Sequence, residues 1–213
     1  MNNTLKNNFF KIISTILLLF CLSNTNAQNI DINLLRDINL NRNKSLDPTF
    51  RTITNSVAPI SIGAPILIYS IGLINNDTDL KKKGVYLGET FLATTFIAIA
   101  LKYSVKRDRP FITYPDLEKE TSGGGYSFPS GHTSDAFATA TSLSIAFPKW
   151  YVIAPSFVWA SAVGYSRMDL GVHYPSDVLA GAIIGSGSAY LTYKLNKWIN
   201  KKTQKNNLFD GKN

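Results

Sequence analysis

The chain is poor in cysteine, histidine and charged residues, and each shortage narrows the functions open to it. Its only cysteine, Cys21, lies in an N-terminal apolar segment, so the rest of the 213 residues has neither disulfides nor thiol chemistry. Charged residues make up 17% of the sequence, below the roughly 25% usual in soluble domains. No group of histidines, cysteines and carboxylates has the spacing of a dedicated metal site. Disulfide-stabilised scaffolds and cysteine enzymes are therefore excluded.

The charges that are present are mostly basic, with a formal net charge of +8. The lysines gather in a few short clusters rather than in one stripe, and no nucleic-acid-binding module is recognisable. These features argue against nucleic acid as a partner. An anionic membrane surface or an anionic substrate is expected instead.

The N-terminus has the pattern of a targeting segment. Lys6 and Lys11 flank a polar start, residues 12–22 form an apolar run, and small residues up to Ala27 offer a cleavage site. Residues 1–27 are therefore predicted to be a signal peptide, with an uncleaved membrane anchor as the alternative. The apolar run is short for a full membrane span, which favours cleavage.

The remainder is predicted to be one all-α domain. Residues 28–56 are polar with a weak amphipathic pattern, which predicts a short helix against the body or the membrane surface. None of the apolar segments that follow alternates with period two, so helices are favoured over strands. We expect a bundle of about five to six core helices within residues 57–196, and a basic, disordered tail over residues 197–213. The apolar segments are residues 57–74, 85–101, 136–147, 151–165 and 178–195.

Charge placement favours a membrane-embedded bundle. Three of the five apolar segments approach the length that crosses a bilayer. With the N-terminus inside, Lys81, Lys82, Lys83, Lys149 and the basic tail all lie on the cytoplasmic side, as the positive-inside rule requires. The predicted active site then faces the periplasm or the outside. A compact secreted helical protein is the alternative.

The first of three polar blocks contains Lys102 and Arg109, which are seven residues apart. On a helix this spacing places both side chains on one face. Pro110 disfavours helix at the residue before it, so Arg109 is predicted at a helix end. Two adjacent cations suit an anion with several oxygens, and the arginine fork suits phosphate. A basic juxtamembrane cluster explains this block equally well when it is taken alone.

The second block is Phe-Pro-Ser-Gly-His-Thr at residues 128–133, preceded by three glycines. Ser130 is predicted to cap the following helix, and Gly131 lets the backbone approach a ligand closely. A helix start with free N–H groups and a hydroxyl binds anions, and His132 there suits acid or base chemistry. A plain turn is the alternative. The glycine pattern of a nucleophile elbow is absent, so Ser130 is not predicted to be a nucleophile.

The third block places a histidine and an aspartate at one helix start. Pro175 is predicted to be the first residue of the last helix, with His173 just before it and Asp177 in its first turn. The Asp177 carboxylate can then hold one ring nitrogen of His173 and leave the other free to attack. A surface histidine beside a helix-start carboxylate is the alternative. Both histidines of the chain fall in these blocks, which favours one shared site.

Together the blocks resemble the signature of the type 2 phosphatidic acid phosphatases, whose superfamily includes vanadium haloperoxidases and bacterial class A acid phosphatases. The signature has a lysine, six residues and Arg-Pro; then Pro-Ser-Gly-His; then Ser-Arg, five residues, histidine, three residues and aspartate. Every specified position matches here: Lys102, Arg109, Pro110, Pro129, Ser130, Gly131, His132, Ser166, Arg167, His173 and Asp177.

The resemblance implies a role for each of these polar residues. His173 is expected to attack phosphorus and form a phospho-histidine, oriented by Asp177, while His132 protonates the leaving oxygen and then activates water. The phosphate oxygens are expected to be held by Lys102, Arg109, Arg167, the Ser130 hydroxyl and the Gly131 N–H. No metal or other cofactor is implied, because fixed cations can neutralise the phosphoryl charge.

The resemblance to the phosphatases also implies a phosphorylated substrate. Expected substrates are lipid phosphate monoesters or pyrophosphates, such as undecaprenyl pyrophosphate, phosphatidate, phosphatidylglycerol phosphate or lipid A. The loop over residues 111–128, with Phe111, Tyr114 and Tyr126 at the rim, is expected to select among them. Open alternatives are a soluble periplasmic acid phosphatase acting on small phosphate esters, a vanadium-dependent haloperoxidase and a non-catalytic lipid-binding membrane protein. The sequence sets no oligomeric state.

Overall fold

The computed structural model describes residues 24–209, with side chains over residues 30–201. Across this range the secondary structure is helical, without a β-strand, so the predicted all-α bundle is confirmed. The predicted signal segment lies outside the described residues, except for residues 24–27, which begin the first helix. The helices are α1 (Asn24–Leu40), a 3-10 turn (Lys44–Leu46), α2 (Asp47–Asn55), α3 (Val57–Ile74), α4 (Thr78–Val105), α5 (Pro110–Thr113), α6 (Gly131–Ala146), α7 (Trp150–Asp169) and α8 (Pro175–Phe209).

The bundle is built around α6, which contacts α3, α4, α7 and α8. Glycines bring α6 and α8 together: a Cβ atom at Gly185 would lie 2.1 Å from the carbonyl oxygen of Ser134, and one at Gly181 would lie 2.8 Å from that of Ser130. Small residues at such positions let two helix backbones approach closely. The start of α6 is therefore fixed beside the first turns of α8.

Two stretches of the bundle are long and apolar enough to cross a membrane. They are Lys44–Ile74 and Thr78–Thr113, whose most apolar 18-residue windows have mean hydropathies of 2.0 and 1.5 among the residues that the structure describes. Their most apolar windows are only 17% and 33% buried, whereas the core helix of a soluble protein is mostly buried. Large side chains such as Leu67 and Phe96 are exposed on them. This apolar surface suits lipid hydrocarbon better than water.

The amphipathic helix expected within residues 28–56 is α1, and it packs against the body. Ile32 and Leu35 are buried in a cluster with Leu117 and Tyr174. The buried Asn39 side chain donates hydrogen bonds to the carbonyl oxygens of Glu118 (2.9 Å) and Asp169 (2.8 Å). Helix α1 is thereby attached to the loop before α6 and to the end of α7.

Helix boundaries differ from the predicted segments mainly where polar residues extend a helix. Helix α4 begins at Thr78, seven residues before the predicted apolar segment, because the Asp77 side chain accepts hydrogen bonds from the N–H groups of Asp79 and Leu80. Helix α8 continues to Phe209, past the end of the apolar pattern at Leu195. Apolar periodicity marks the buried or lipid-facing part of a helix and not its full length.

Candidate active site

The two cations of the first block lie on different elements. Helix α4 ends at Val105, and Lys106 adopts a left-handed φ of 53°. Arg109 has an extended backbone (φ −75°, ψ 152°) because Pro110 follows it and begins α5. The prediction that Lys102 and Arg109 share one helical face is therefore wrong, although both side chains reach the loop before α6.

Lys102 fixes that loop through its carbonyl groups. Its Nζ atom donates hydrogen bonds to the carbonyl oxygens of Tyr126 (2.7 Å) and Pro129 (2.8 Å), with that of Ser127 at 3.4 Å. One ammonium group thus holds the chain on both sides of Phe128. The first block and the second block are joined directly.

Arg109 joins the same loop to the third block. Its guanidinium donates to the carbonyl oxygens of Gly124 (2.7 Å), Gly125 (3.0 Å) and Val172 (2.9 Å), and the residue is 5% exposed. A Cβ atom at Gly123 would lie 2.9 Å from Arg109 Nη1. The glycine run therefore leaves room for the guanidinium, which is held rigidly with its charge buried.

His173 lies between an acceptor and a donor. Its Nδ1 atom is 3.4 Å from Asp177 Oδ2, and its Nε2 atom is 3.3 Å from Arg109 Nη1. Pro175 is the first residue of α8 and Asp177 lies in its first turn, which brings the carboxylate back towards the ring. With the proton on Nδ1, the Nε2 lone pair points towards the guanidinium. An anion bound to Arg109 would meet that lone pair.

Burial keeps the His173 ring uncharged. The residue is 1% exposed, and this burial lowers the pKa of His173 from 6.5 to about 3, against the opposing effect of the Asp177 hydrogen bond. The charges of Arg109 and Arg167 act in the same direction as burial. A neutral imidazole at physiological pH is the form that can act as a nucleophile.

The Asp177 carboxylate has further partners that the sequence did not indicate. Oδ2 accepts hydrogen bonds from the Ser127 hydroxyl (2.5 Å) and from the Tyr174 N–H (3.1 Å). Oδ1 accepts one from Arg107 Nη1 (2.8 Å). Arg107 lies inside the first block but carries no periodic signal that separates it from its neighbours, and Ser127 lies just outside the second. Both orient the carboxylate that faces His173.

The start of α6 carries the residues of the second block. Ser130 occupies the N-cap position, but its hydroxyl pairs with Thr133 Oγ1 (2.8 Å) and does not cap the backbone as predicted. A Cβ atom at Gly131 would meet no atom within 4 Å, so open space adjoins the first helical N–H group. His132 follows, half-buried, within reach of the charges of three cations of the site, namely Lys102, Arg109 and Arg167. A helix start of this kind attracts anions.

Arg167 is a buried cation with a spare donor. It is 2% exposed, and it donates to Thr54 Oγ1 (2.7 Å) and to the carbonyl oxygen of Ser122 (3.1 Å). Its Nε–H group is buried and has no hydrogen-bond partner among the described residues. An unpaired buried donor is costly, and an anion in the site would satisfy it.

The three aromatic residues expected at the rim each pack against a different side chain. Tyr126 packs edge-on against Tyr103 with centroids 6.0 Å apart, and Tyr114 packs similarly against Tyr174 at 6.5 Å. The Phe111 ring faces the ammonium of a neighbouring lysine, Lys119, at 4.3 Å. Each ring therefore has a different partner. Within the described residues no three His, Cys, Asp or Glu side chains cluster as a metal site would require.

The arrangement defines a helical-bundle protein whose three polar blocks meet at one end. Comparison of the sequence with models of protein families agrees with this architecture and signature. The model of the PAP2 superfamily matches residues 83–201, more than half of the chain. The protein belongs to the PAP2 superfamily. The exposed apolar surfaces of α3 and α4, together with this family, support membrane association.

Individual relatives share the part of the chain that carries the site. The chain is 34% identical to an undecaprenyl-diphosphatase of Sulfolobus acidocaldarius over 116 residues, which are 54% of this chain and 56% of the relative. It is 37% identical to a lipid A 4'-phosphatase of Bacteroides thetaiotaomicron over 90 residues, 42% of this chain and 40% of the relative. The chain thus spans about half the length of these relatives.

A solved structure extends the likeness to most of the fold. The crystal structure of Aquifex aeolicus LpxE superposes with a TM-score of 0.67 at 30% identity, covering 78% of this chain and 95% of that one. The helical bundle of this protein therefore has the same fold as nearly the whole of that neighbour.

Proposed function

We propose that this protein is a phosphatase that hydrolyses phosphate monoesters or pyrophosphates of membrane lipids through a phospho-histidine on His173. The observation that carries the proposal is the position of the His173 ring. Its Nδ1 atom faces Asp177 at 3.4 Å, and its Nε2 atom faces the Arg109 guanidinium at 3.3 Å. A neutral, oriented imidazole beside a buried cation suits attack on phosphorus.

In the first step the Nε2 lone pair attacks phosphorus while Asp177 accepts the Nδ1–H hydrogen bond. A P–N bond forms, the bond from phosphorus to the leaving oxygen breaks, and that oxygen takes the electron pair and a proton from His132. In the second step His132 accepts a proton from water, which attacks phosphorus and displaces His173. A monoester gives the lipid alcohol and inorganic phosphate, and a pyrophosphate gives the lipid monophosphate and inorganic phosphate.

The phosphoryl oxygens are held by groups that folding has already fixed. Lys102 and Arg109 are anchored to loop carbonyl groups, and Arg167 has a buried Nε–H group without a hydrogen-bond partner among the described residues. The Gly131 N–H and the Ser130 hydroxyl complete the proposed set. Donors fixed in advance stabilise the transition state without reorganising during the reaction.

The placement of the site supports a lipid substrate. Two relatives are named for lipid-linked phosphates, undecaprenyl pyrophosphate and lipid A, and exposed apolar side chains cover α3 and α4. Lys102 lies near the end of α4, opposite the lysines at residues 81–83. The positive-inside rule puts those lysines in the cytoplasm. The active site would then open to the periplasm or the outside, at the face of the inner membrane.

The proposal is tested by phosphate release from purified protein given undecaprenyl pyrophosphate, phosphatidate, phosphatidylglycerol phosphate or lipid A. His173→Ala should reduce release by about a thousandfold or more, and Asp37→Asn, an exposed change on α1, serves as the folded reference. An alkaline quench with radiolabelled substrate should trap phosphate on wild-type protein and not on the variant. Near-normal turnover by His173→Ala would overturn the proposal. Halide oxidation with vanadate and peroxide would support the haloperoxidase alternative instead.

A further inference from the structure

A second carboxylate approaches the start of α8 from the N-terminal helix. Asp31 of α1 accepts hydrogen bonds from the Ser176 N–H (2.9 Å) and the Ser176 hydroxyl (2.6 Å), although 145 residues separate the two in sequence. Its side chain is only 10% exposed. Asp31 therefore binds the first turn of α8, which carries Asp177, and lies outside the residues that match the superfamily.

Arg107 bridges Asp31 to Asp177. Its Nη2 atom is 2.7 Å from Asp31 Oδ2, and its Nη1 atom is 2.8 Å from Asp177 Oδ1. Its guanidinium carbon lies 3.7 Å from the centroid of the Tyr174 ring, a cation–π contact. The guanidinium is held on three sides, so its two ends cannot move independently.

This bridge divides the two oxygens of Asp177 between two tasks. Oδ1 is engaged by Arg107, whereas Oδ2 faces His173 Nδ1 and accepts from Ser127 and Tyr174. Rotation of the carboxylate would break the contact with Arg107 at the same time as the contact with His173. The position of Arg107 therefore sets the orientation of the carboxylate that orients the nucleophile.

Asp31 also offsets the positive charge of the Arg107 guanidinium. A guanidinium paired with Asp177 alone would neutralise that carboxylate and weaken its stabilisation of the His173 ring, which gains positive charge as it attacks phosphorus. Because Asp31 shares the guanidinium, the three groups together keep one negative charge. The negative charge next to Nδ1 is thus preserved.

We infer that Asp31 is a positioning residue for phosphoryl transfer, acting through Arg107 and Ser176 on Asp177. The inference rests on the proposed function, in which His173 is the nucleophile. It extends the functional unit to a helix that carries no part of the superfamily signature. Asp31 touches neither the His173 ring nor the phosphate-binding groups, so its effect must appear in the rate of phosphorylation and not in substrate affinity.

The test compares Asp31→Asn with Asp37→Asn, which makes the same change of charge at an exposed site on the same helix. Full-length proteins in detergent are given p-nitrophenyl phosphate, and phosphoenzyme formation is followed by rapid quench well below the melting temperature. Asp31→Asn should lower kcat and the phosphorylation rate by about 10- to 100-fold, with KM changed by less than about threefold. Asp31→Glu, which keeps the carboxylate, should recover part of the rate. Asp37→Asn should match the wild type.

Arg107→Lys provides the second variant, because it keeps the positive charge but cannot bridge two carboxylates. Its loss of rate should not add to that of Asp31→Asn in the double variant, since both break one connection. If Asp31→Asn does not fold, Asp31→Glu, which moves the carboxylate and keeps its charge, should still be phosphorylated more slowly than Asp37→Asn. Phosphorylation within twofold of the control in a folded variant overturns the inference. A wild type that forms no phosphoenzyme would instead overturn the proposed function.

Discussion

The backbone N–H of Ser130 lies 3.1 Å from the carbonyl oxygen of Asp177 and donates a hydrogen bond to it. This bond joins the residue before α6 to the first turn of α8. The proposed phosphate-binding start of one helix and the nucleophile-orienting start of another are therefore one unit. Their relative position depends on how closely α6 and α8 pack over the turns that follow.

Glycine packing between these helices should control both stability and activity. In Gly185→Ala, the new methyl group meets the Ser134 carbonyl at 2.1 Å, so the helices must separate. We expect a cost of about 1–3 kcal/mol and a lower kcat. Thermal unfolding in detergent and phosphate release measure the two effects.

Gly187→Ala is the matched control, because a Cβ atom there meets nothing within 4 Å. It should leave kcat unchanged and stabilise the helix by up to about 1 kcal/mol. Equal behaviour of the two variants would contradict the packing argument.

The role of His132 predicts a dependence on the leaving group. His132→Ala should slow hydrolysis of a lipid or alkyl phosphate by about 10²- to 10⁴-fold, because the leaving alkoxide requires a proton. The loss should be much smaller with p-nitrophenyl phosphate, whose leaving group is stable without one. Comparing kcat of the variant on both substrates checks this. Equal losses on the two would show that His132 does not act as the acid.

The buried His173 predicts how stability depends on pH. Its pKa is lowered from 6.5 to about 3 by burial, so as pH falls below about 6.5 the unfolded chain gains a proton that the folded chain does not. The wild type should therefore lose stability from this group between pH 6.5 and 3, by at most about 1.4 kcal/mol per pH unit.

The measurement is the midpoint of thermal unfolding at pH 7.5, 6.5 and 5.5, for wild type and His173→Gln. Glutamine does not titrate, so the variant should show a shallower decline, whatever its absolute stability. Parallel declines would mean that His173 is not held neutral in the fold.

Local sequence patterns predicted those helices whose ends are set by residues close together in the sequence. Pro175 begins α8 and Asp177 falls in its first turn, because proline geometry and helix spacing act within a few residues. Apolar segments likewise predicted the bundle. Arg109 departed from its predicted helical face because the effect of Pro110 combines with the left-handed Lys106, and nothing in the sequence demands helix termination at Val105.

The contacts that the sequence did not predict span the chain. Arg167 is held by Thr54, 113 residues away, and Asp31 reaches Ser176 across 145 residues. A polar residue on a weakly amphipathic helix resembles any solvated residue until the fold brings a partner to it. The lipid-facing character of α3 and α4 also depends on what the bundle leaves uncovered, which hydropathy alone does not determine.

The attachment of α1 by Asn39 bears on which residues make up the functional unit of this protein. The residues that match the superfamily, 83–201, omit Asn39, Asp31 and Thr54, yet each of these side chains is hydrogen-bonded to the end of the bundle that carries the site. The segment that matches the superfamily is therefore smaller than the set of residues that holds the site in place. A fragment limited to residues 83–201 would keep every signature residue but lose the side chains of α1 and α2 that hold them in position.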